Sequence, residues 1–166
     1  MRPGRFLFGL RGRLPRAGYW IYVAIAAPLF VGLILIYYMY AMSFPGAYEN
    51  GGPTPWPTGV LGTLGAVVYF AALGSLVYAG LAVAIKRLHD RDKGAGWAVL
   101  FLIMPPAILV GLQELIDSGH PLPVPLHYIS YALYLWALVE LGFLRGDSGA
   151  NQFGPDPLAT DPPTVE

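Results

Sequence analysis

At 166 residues and 17.9 kDa, the chain holds one modest domain. Hydrophobic residues supply 55% and charged residues only 12%, about half the usual charged share, which excludes a water-soluble globule. Ten Lys and Arg balance ten Asp and Glu, so bulk charge gives no reason to expect a nucleic-acid partner; the absence of cysteine removes disulfide scaffolds, thiolate metal sites and thiol nucleophiles.

The chain opens with a basic, amphipathic segment over 1–18. It mixes Arg2, Arg5, Arg11, Arg13 and Arg16 with Phe6, Leu7, Phe8, Leu10 and Leu14. Such a composition suits a segment lying on an anionic membrane surface, with Tyr19 and Trp20 at the boundary. Then the charges vanish. Ala17–Tyr48, Asn50–Ile85 and Gly94–Gln113 contain none, and Ser118–Val139 carries only His120 and His127. A bilayer core of roughly 30 Å takes about 20 apolar residues at 1.5 Å each, and all four runs meet that length. Trimmed at Pro, Gly and polar clusters, they predict spans at 19–42, 58–85, 96–115 and 126–144 of a membrane domain covering 19–144. Backbone in hydrocarbon must satisfy its own hydrogen bonds, and no set of short alternating segments supports a barrel, so the spans are expected to be helices. The first apolar run exceeds the 7–15 residues of a signal h-region and reads as an anchor.

Orientation follows from Lys and Arg counted by loop. Five lie before the first span; Lys86, Arg87, Arg91 and Lys93 lie between spans two and three; Arg145 follows span four. Loops 43–57 and 116–125 hold none. The expected fold is therefore an all-α, four-transmembrane-helix bundle of the bacterial inner membrane with both termini cytoplasmic.

Between the first two spans, Ser43–Pro57 is rich in Pro and Gly and reads as a solvated linker anchored by Phe44, Tyr48 and Trp56. Span two carries the small residues Gly59, Gly62, Gly65, Ala71, Ser75 and Ala79, which suit close helix packing within the bundle or a homo-oligomer face. Pro105-Pro106 predicts a kink or local unwinding in span three. Glu114 stands at the outer end of the third predicted span, whereas Glu140 lies inside the fourth, five residues before Arg145. A structural ion pair with the 86–93 loop is the favoured reading, a proton or cation relay the other.

The densest chemistry is Lys86-Arg87-Leu88-His89-Asp90-Arg91-Asp92-Lys93 and the following Gly94-Ala95-Gly96-Trp97. This loop suits either a phosphate headgroup, gripped by planar guanidiniums and His89, or a self-paired salt-bridge turn. Three strings now match one family. Gly12-Arg13-Leu14-Pro15-Arg16 with Tyr19-Trp20 resembles its opening signature; Arg87-Leu88-His89-Asp90 with Gly96-Trp97 resembles its central one. Gly146-Asp147-Ser148-Gly149-Ala150-Asn151-Gln152-Phe153-Gly154-Pro155-Asp156-Pro157 resembles its closing signature. The chain thus resembles the domain of unknown function 805 family, YhaH-like small bacterial inner-membrane proteins, from about Phe6 to Pro157. Gln152 stands where that family usually has a basic residue, and Ala95 where Ser is common.

The resemblance implies a multi-pass inner-membrane protein and carries no established activity. All three strings fall on the cytoplasmic side of the expected topology, with the third in a turn over 145–157. They suggest one composite site of Arg13, Arg16, Arg87, His89, Asp90, Trp97 and Asn151. It is expected to act as an interlocked cap, an anionic-ligand site, or both. In the cap reading, Asp90 pairs with Arg13 or Arg16, and Asn151 satisfies loop backbone.

Gly146-Asp147-Ser148-Gly149 imitates a serine-protease string without the scaffold that chemistry needs. No metal site, cofactor motif or catalytic residue is expected, and 158–166 reads as a disordered, Pro-rich acidic tail. The favoured function is a non-enzymatic binding or assembly module for anionic lipid headgroups or a partner membrane protein. The alternative is a small transporter or channel using Glu140 and the Pro105-Pro106 break.

Overall fold

The computed structural model describes residues 7–43, 59–119 and 125–159. The loop anchors Phe44, Tyr48 and Trp56, the arginines at 2 and 5, His120 and the tail beyond 159 lie outside the described residues. Helix α1 covers Arg16–Met42 and α2 covers Gly59–His89. A short turn, α3 (Gly96–Ala98), leads into a π-helical segment, Val99–Ile103, and then α4 (Met104–Asp117). Helix α5 spans Pro125–Leu138 and passes into a second π segment, Val139–Phe143. Among the described residues there is no strand, only an isolated bridge between Asn151 and Gly154.

Among the described residues, three helices are long and apolar enough to cross a membrane: Arg16–Met42, Gly59–His89 and the continuous run Gly96–Asp117. Hydroxyls within such helices fold back onto their own backbone, which hides them from hydrocarbon. Thr63 donates to the Gly59 carbonyl at 2.9 Å and Ser75 to that of Ala71 at 2.7 Å.

The expected break at Pro105-Pro106 takes a different form. The prolines occupy the first turn of α4, where a missing N–H costs little. The adjustment lies just ahead of them, in a π turn where the Met104 N–H bonds the Val99 carbonyl five residues back. Ser130 of α5 donates to the Pro105 carbonyl at 3.2 Å, and both residues are buried.

The chain divides into two compact units, and the boundaries fall within α1 and α2. In Tyr22–Gly80, the Tyr22 hydroxyl donates to the Leu76 carbonyl at 2.7 Å beside an apolar groove of about 300 Å³ lined by Ala26, Ala27, Phe30 and Gly80. The other unit holds everything else. Its core joins Ala84, Ile85 and Leu88 of α2 to Ala98, Phe101, Ala137 and Leu141, with Tyr19 packed against them. That core seats the end of α2 against the second π segment, and the polar residues stand above it.

Candidate functional site

α2 ends in a basic turn. After His89 the chain reverses through Asp92, whose φ of 53° lies in the left-handed region that Asp tolerates better than most residues. The N–H groups of Arg91 and Lys93 both bond the Leu88 carbonyl at 2.9 Å. This reversal aims Arg87, Asp90, Arg91 and Lys93 at the last turn of the chain's final helix.

Asp90 is the centre of the site. Its Oδ1 accepts from Arg13 Nε at 3.1 Å and its Oδ2 from Arg87 Nη1 at 2.6 Å. All three side chains are buried. Burial pushes the Asp90 carboxyl above the ordinary carboxylate range, while the Arg13 hydrogen bond and the Arg87 charge pull it down.

The two guanidiniums spend their other donors on backbone. Arg13 reaches the carbonyls of Asp147 and Gly149, each at 2.5 Å, and that of Gly154 at 3.4 Å. Arg87 donates to the Leu141 carbonyl at 2.9 Å and to that of Leu144. Trp20 Nε1 donates to the Gly142 carbonyl at 2.9 Å. A helix C-terminus leaves carbonyls without intrahelical donors and carries partial negative charge. Here Trp20 of α1 and the cationic Arg87 of α2 cap the end of the last helix.

Two glycines are fixed by close approach. A Cβ on Gly146 would fall 1.9 Å from Asp90 Oδ2, and one on Gly142 would fall 2.8 Å from the Trp20 ring. Backbone bonds close the remainder: Leu14 N–H to the Lys86 carbonyl at 3.1 Å and Asp147 N–H to that of Asp90 at 2.8 Å.

Asn151 holds the third motif. Its Nδ2 donates to the His89 carbonyl at 2.8 Å, and its Oδ1 accepts from the Phe153 N–H at 3.0 Å. The His89 ring stacks on Phe153 with centroids 3.9 Å apart and planes 5° from parallel. Its Nδ1 lies 3.1 Å from the Gly12 carbonyl, which can only accept, so Nδ1 carries a proton. Gln152 reaches Asp92 at 3.1 Å. Asp156 accepts from the N–H groups of Gly149 and Leu158 at 3.0 and 2.9 Å, and these bonds hold its carboxyl below the usual range.

A second cluster adjoins the first. Glu140, only 3% exposed at its side chain, accepts at Oε1 from Arg91 Nε and lies against Lys93 Nζ, both at 2.6 Å. Arg91 also donates to the Arg145 carbonyl at 2.8 Å. Lys93 Nζ stands 4.7 Å from the centre of the Trp97 ring, and Trp97 meets Trp136 edge-on at 5.8 Å.

Of the candidate residues, Arg13, Arg87, His89, Asp90 and Asn151 therefore converge, and Trp97 sits with Glu140 in the adjoining cluster. Arg16 is exposed and makes none of the ion pairs found among the described residues. Trp20, Gly146, Phe153 and Asp156 also belong to the site. All four stand inside the three matched strings, which was the signal for them. His89 and Asp90 face different partners, and among the described residues no group of His, Asp or Glu is placed to hold a metal ion.

The described residues thus define an all-helical protein with three helices among them fit to cross a bilayer and a polar network joining its three motif segments. The profile of the family described as "Protein of unknown function (DUF805)" matches residues 7–155, and the chain belongs to that family. It is 24% identical over 152 residues to the uncharacterized protein YiiR of Escherichia coli K12, covering 92% of this chain and 88% of that one. It is 25% identical over 149 residues to the inner membrane protein YhaH of the same strain, covering 90% and 87%. No solved structure matches.

Proposed function

We propose that the chain is a four-span bacterial inner-membrane protein with both termini in the cytoplasm. Its role is that of a non-enzymatic binding and assembly module. The network of Arg13, Arg87, His89, Asp90 and Asn151, with Arg16 and Trp97 at its margins, forms a cytoplasmic cap that engages an anionic lipid headgroup or a partner membrane protein.

One observation carries this reading. Three motif segments far apart in sequence close into a single network, and each of its buried carboxylates, Asp90 and Glu140, is held by two cations. The excess of positive charge favours an anionic neighbour, and the closed hydrogen bonding favours a rigid surface over a reaction centre. The one-sided Lys and Arg distribution supports the orientation, the helical run Pro125–Phe143 supports a fourth span, and YhaH's description as an inner membrane protein supports the compartment. A transport role for Glu140 is the lesser reading, because its contacts with Arg91 and Lys93 are those of a structural pair.

The test is purification of the full chain from native membranes in mild detergent, with mass spectrometry of the proteins and lipids retained. A stoichiometric protein or an enriched anionic lipid, lost in Arg87→Ala/Asp90→Ala while membrane insertion persists, is the expected result. A bare protein with bulk-like lipid, or retention unchanged in the double variant, overturns it.

A further inference from the structure

The two clusters differ in what they leave over. In the first, Arg13 and Arg87 are buried and their donors are spent on Asp90 and on carbonyls. That pair has nothing with which to grip a ligand. The second cluster does. Arg91 and Lys93 share one carboxylate oxygen, and their side chains remain 21% and 24% exposed. Among the described residues, Arg91 Nε donates to Glu140 and Nη1 to the Arg145 carbonyl, so three of its five N–H donors stay available. Lys93 uses one of its three on Glu140. Arg145 meets the same turn through its backbone carbonyl, and its exposed side chain brings a third cation that lies within electrostatic reach of Asp156. With Glu140 and Asp156 counted, the group carries one net positive charge.

Its surroundings are those of a membrane boundary. Trp97 and Trp136 are 37% and 43% exposed, and their rings meet at the ends of helices that are otherwise apolar. Such part-exposed indoles belong at the headgroup level, with their apolar bodies toward the acyl chains. The cations are therefore placed where phosphate lies, and the indoles where the glycerol and upper acyl carbons lie.

We propose that Arg91, Lys93 and Arg145, beside Trp97 and Trp136, bind the phosphodiester of an anionic glycerophospholipid. This rests on the binding-module reading above and moves its ligand contact from the Arg13–Arg87–Asp90 core to the adjoining cluster. Arg91 offers a planar fork to two phosphate oxygens, Lys93 supplies a point charge, and Arg145 a second guanidinium. The buried core holds α2 and the final turn in the register that keeps these cations together.

The test uses the full chain in phosphatidylcholine nanodiscs containing phosphatidylglycerol, released into mild detergent for native mass spectrometry. Lys93→Gln/Arg145→Gln keeps the Arg91–Glu140 pair and the whole Arg13–Arg87–Asp90 core. Each cation removed should weaken retention about fivefold, so phosphatidylglycerol retention should fall about 25-fold in the double variant. Arg2→Gln/Arg11→Gln removes the same charge from the same side of the expected topology while leaving Arg91, Lys93 and Arg145 intact, and should leave retention within about threefold, because a charge that is not part of the contact acts only through screened long-range attraction. Lys93→Arg should retain the lipid.

Equal loss in the two double variants, or no loss in either, overturns the site. Displacement of the lipid by millimolar glycerol phosphate would make the soluble phosphate the ligand and overturn the lipid assignment. If the wild type retains a protein but no lipid, this inference fails and the module reading stands. If it retains neither, both fail.

Discussion

Asp90 is shared by two buried guanidiniums, and that sharing makes it the most sensitive residue in the protein. Removing one partner of a buried pair leaves an uncompensated charge and typically costs about 3–5 kcal/mol. Asp90→Ala strands Arg13 and Arg87 together, so loss at the upper end of that range is expected, read as the thermal unfolding midpoint in detergent. Gly146→Ala should lose about 1–3 kcal/mol by the same measurement, since the new methyl group overlaps the Asp90 carboxylate. A wild-type midpoint in either variant would show that the network does not hold the fold. Asp156 acts by titration. Its folded pKa is lowered, so its contribution is full above the ordinary carboxylate pKa near 4 and is lost as pH falls through the lower folded value. The Gly149 amide, followed by NMR, should lose protection through that acid window in the wild type, and Asp156→Asn should flatten the profile. The partners of Arg13, Arg87, Asp90 and Asn151 were half legible in the sequence. Motif strings mark which residues matter but not which backbone carbonyls they seek, and a carbonyl has no letter.

The helices were legible from missing charge alone, because hydrocarbon tolerates almost nothing else. Their internal irregularities were not. In segments that are apolar on every face, periodicity carries no phase, and nothing in Val99–Ile103 or Val139–Phe143 announces a widened turn. Prolines announced the first only indirectly, and at a site a few residues later. The second π segment has the greater consequence, since Arg87 and Trp20 bond carbonyls within and just after it. Deleting Val139 would return this turn to α-helix and rotate everything beyond it by about 100°. The variant should still insert in the membrane while residues 146–158 become open to limited proteolysis. Unchanged resistance would mean that the carbonyl positions do not matter.

The whole molecule offers a cysteine-free background for mapping its own topology. Single cysteines at Ser43 and Ser118 should react with an impermeant maleimide added to intact spheroplasts. Those at Ala95 and Ser148 should react only after permeabilisation, and any other pattern would reject the four-span arrangement. The network also has a history in time. Arg13 meets the Asp147 and Gly154 carbonyls across 134 and 141 residues of chain. At ribosomal speeds of about 5–20 residues per second, it waits on the order of ten seconds for partners that do not yet exist. A chain halted before residue 147 owns every apolar helix and lacks the carbonyls that Arg13 needs. Closure of this network therefore cannot precede synthesis of residues 147–154, which makes it one of the last contacts available to the growing chain.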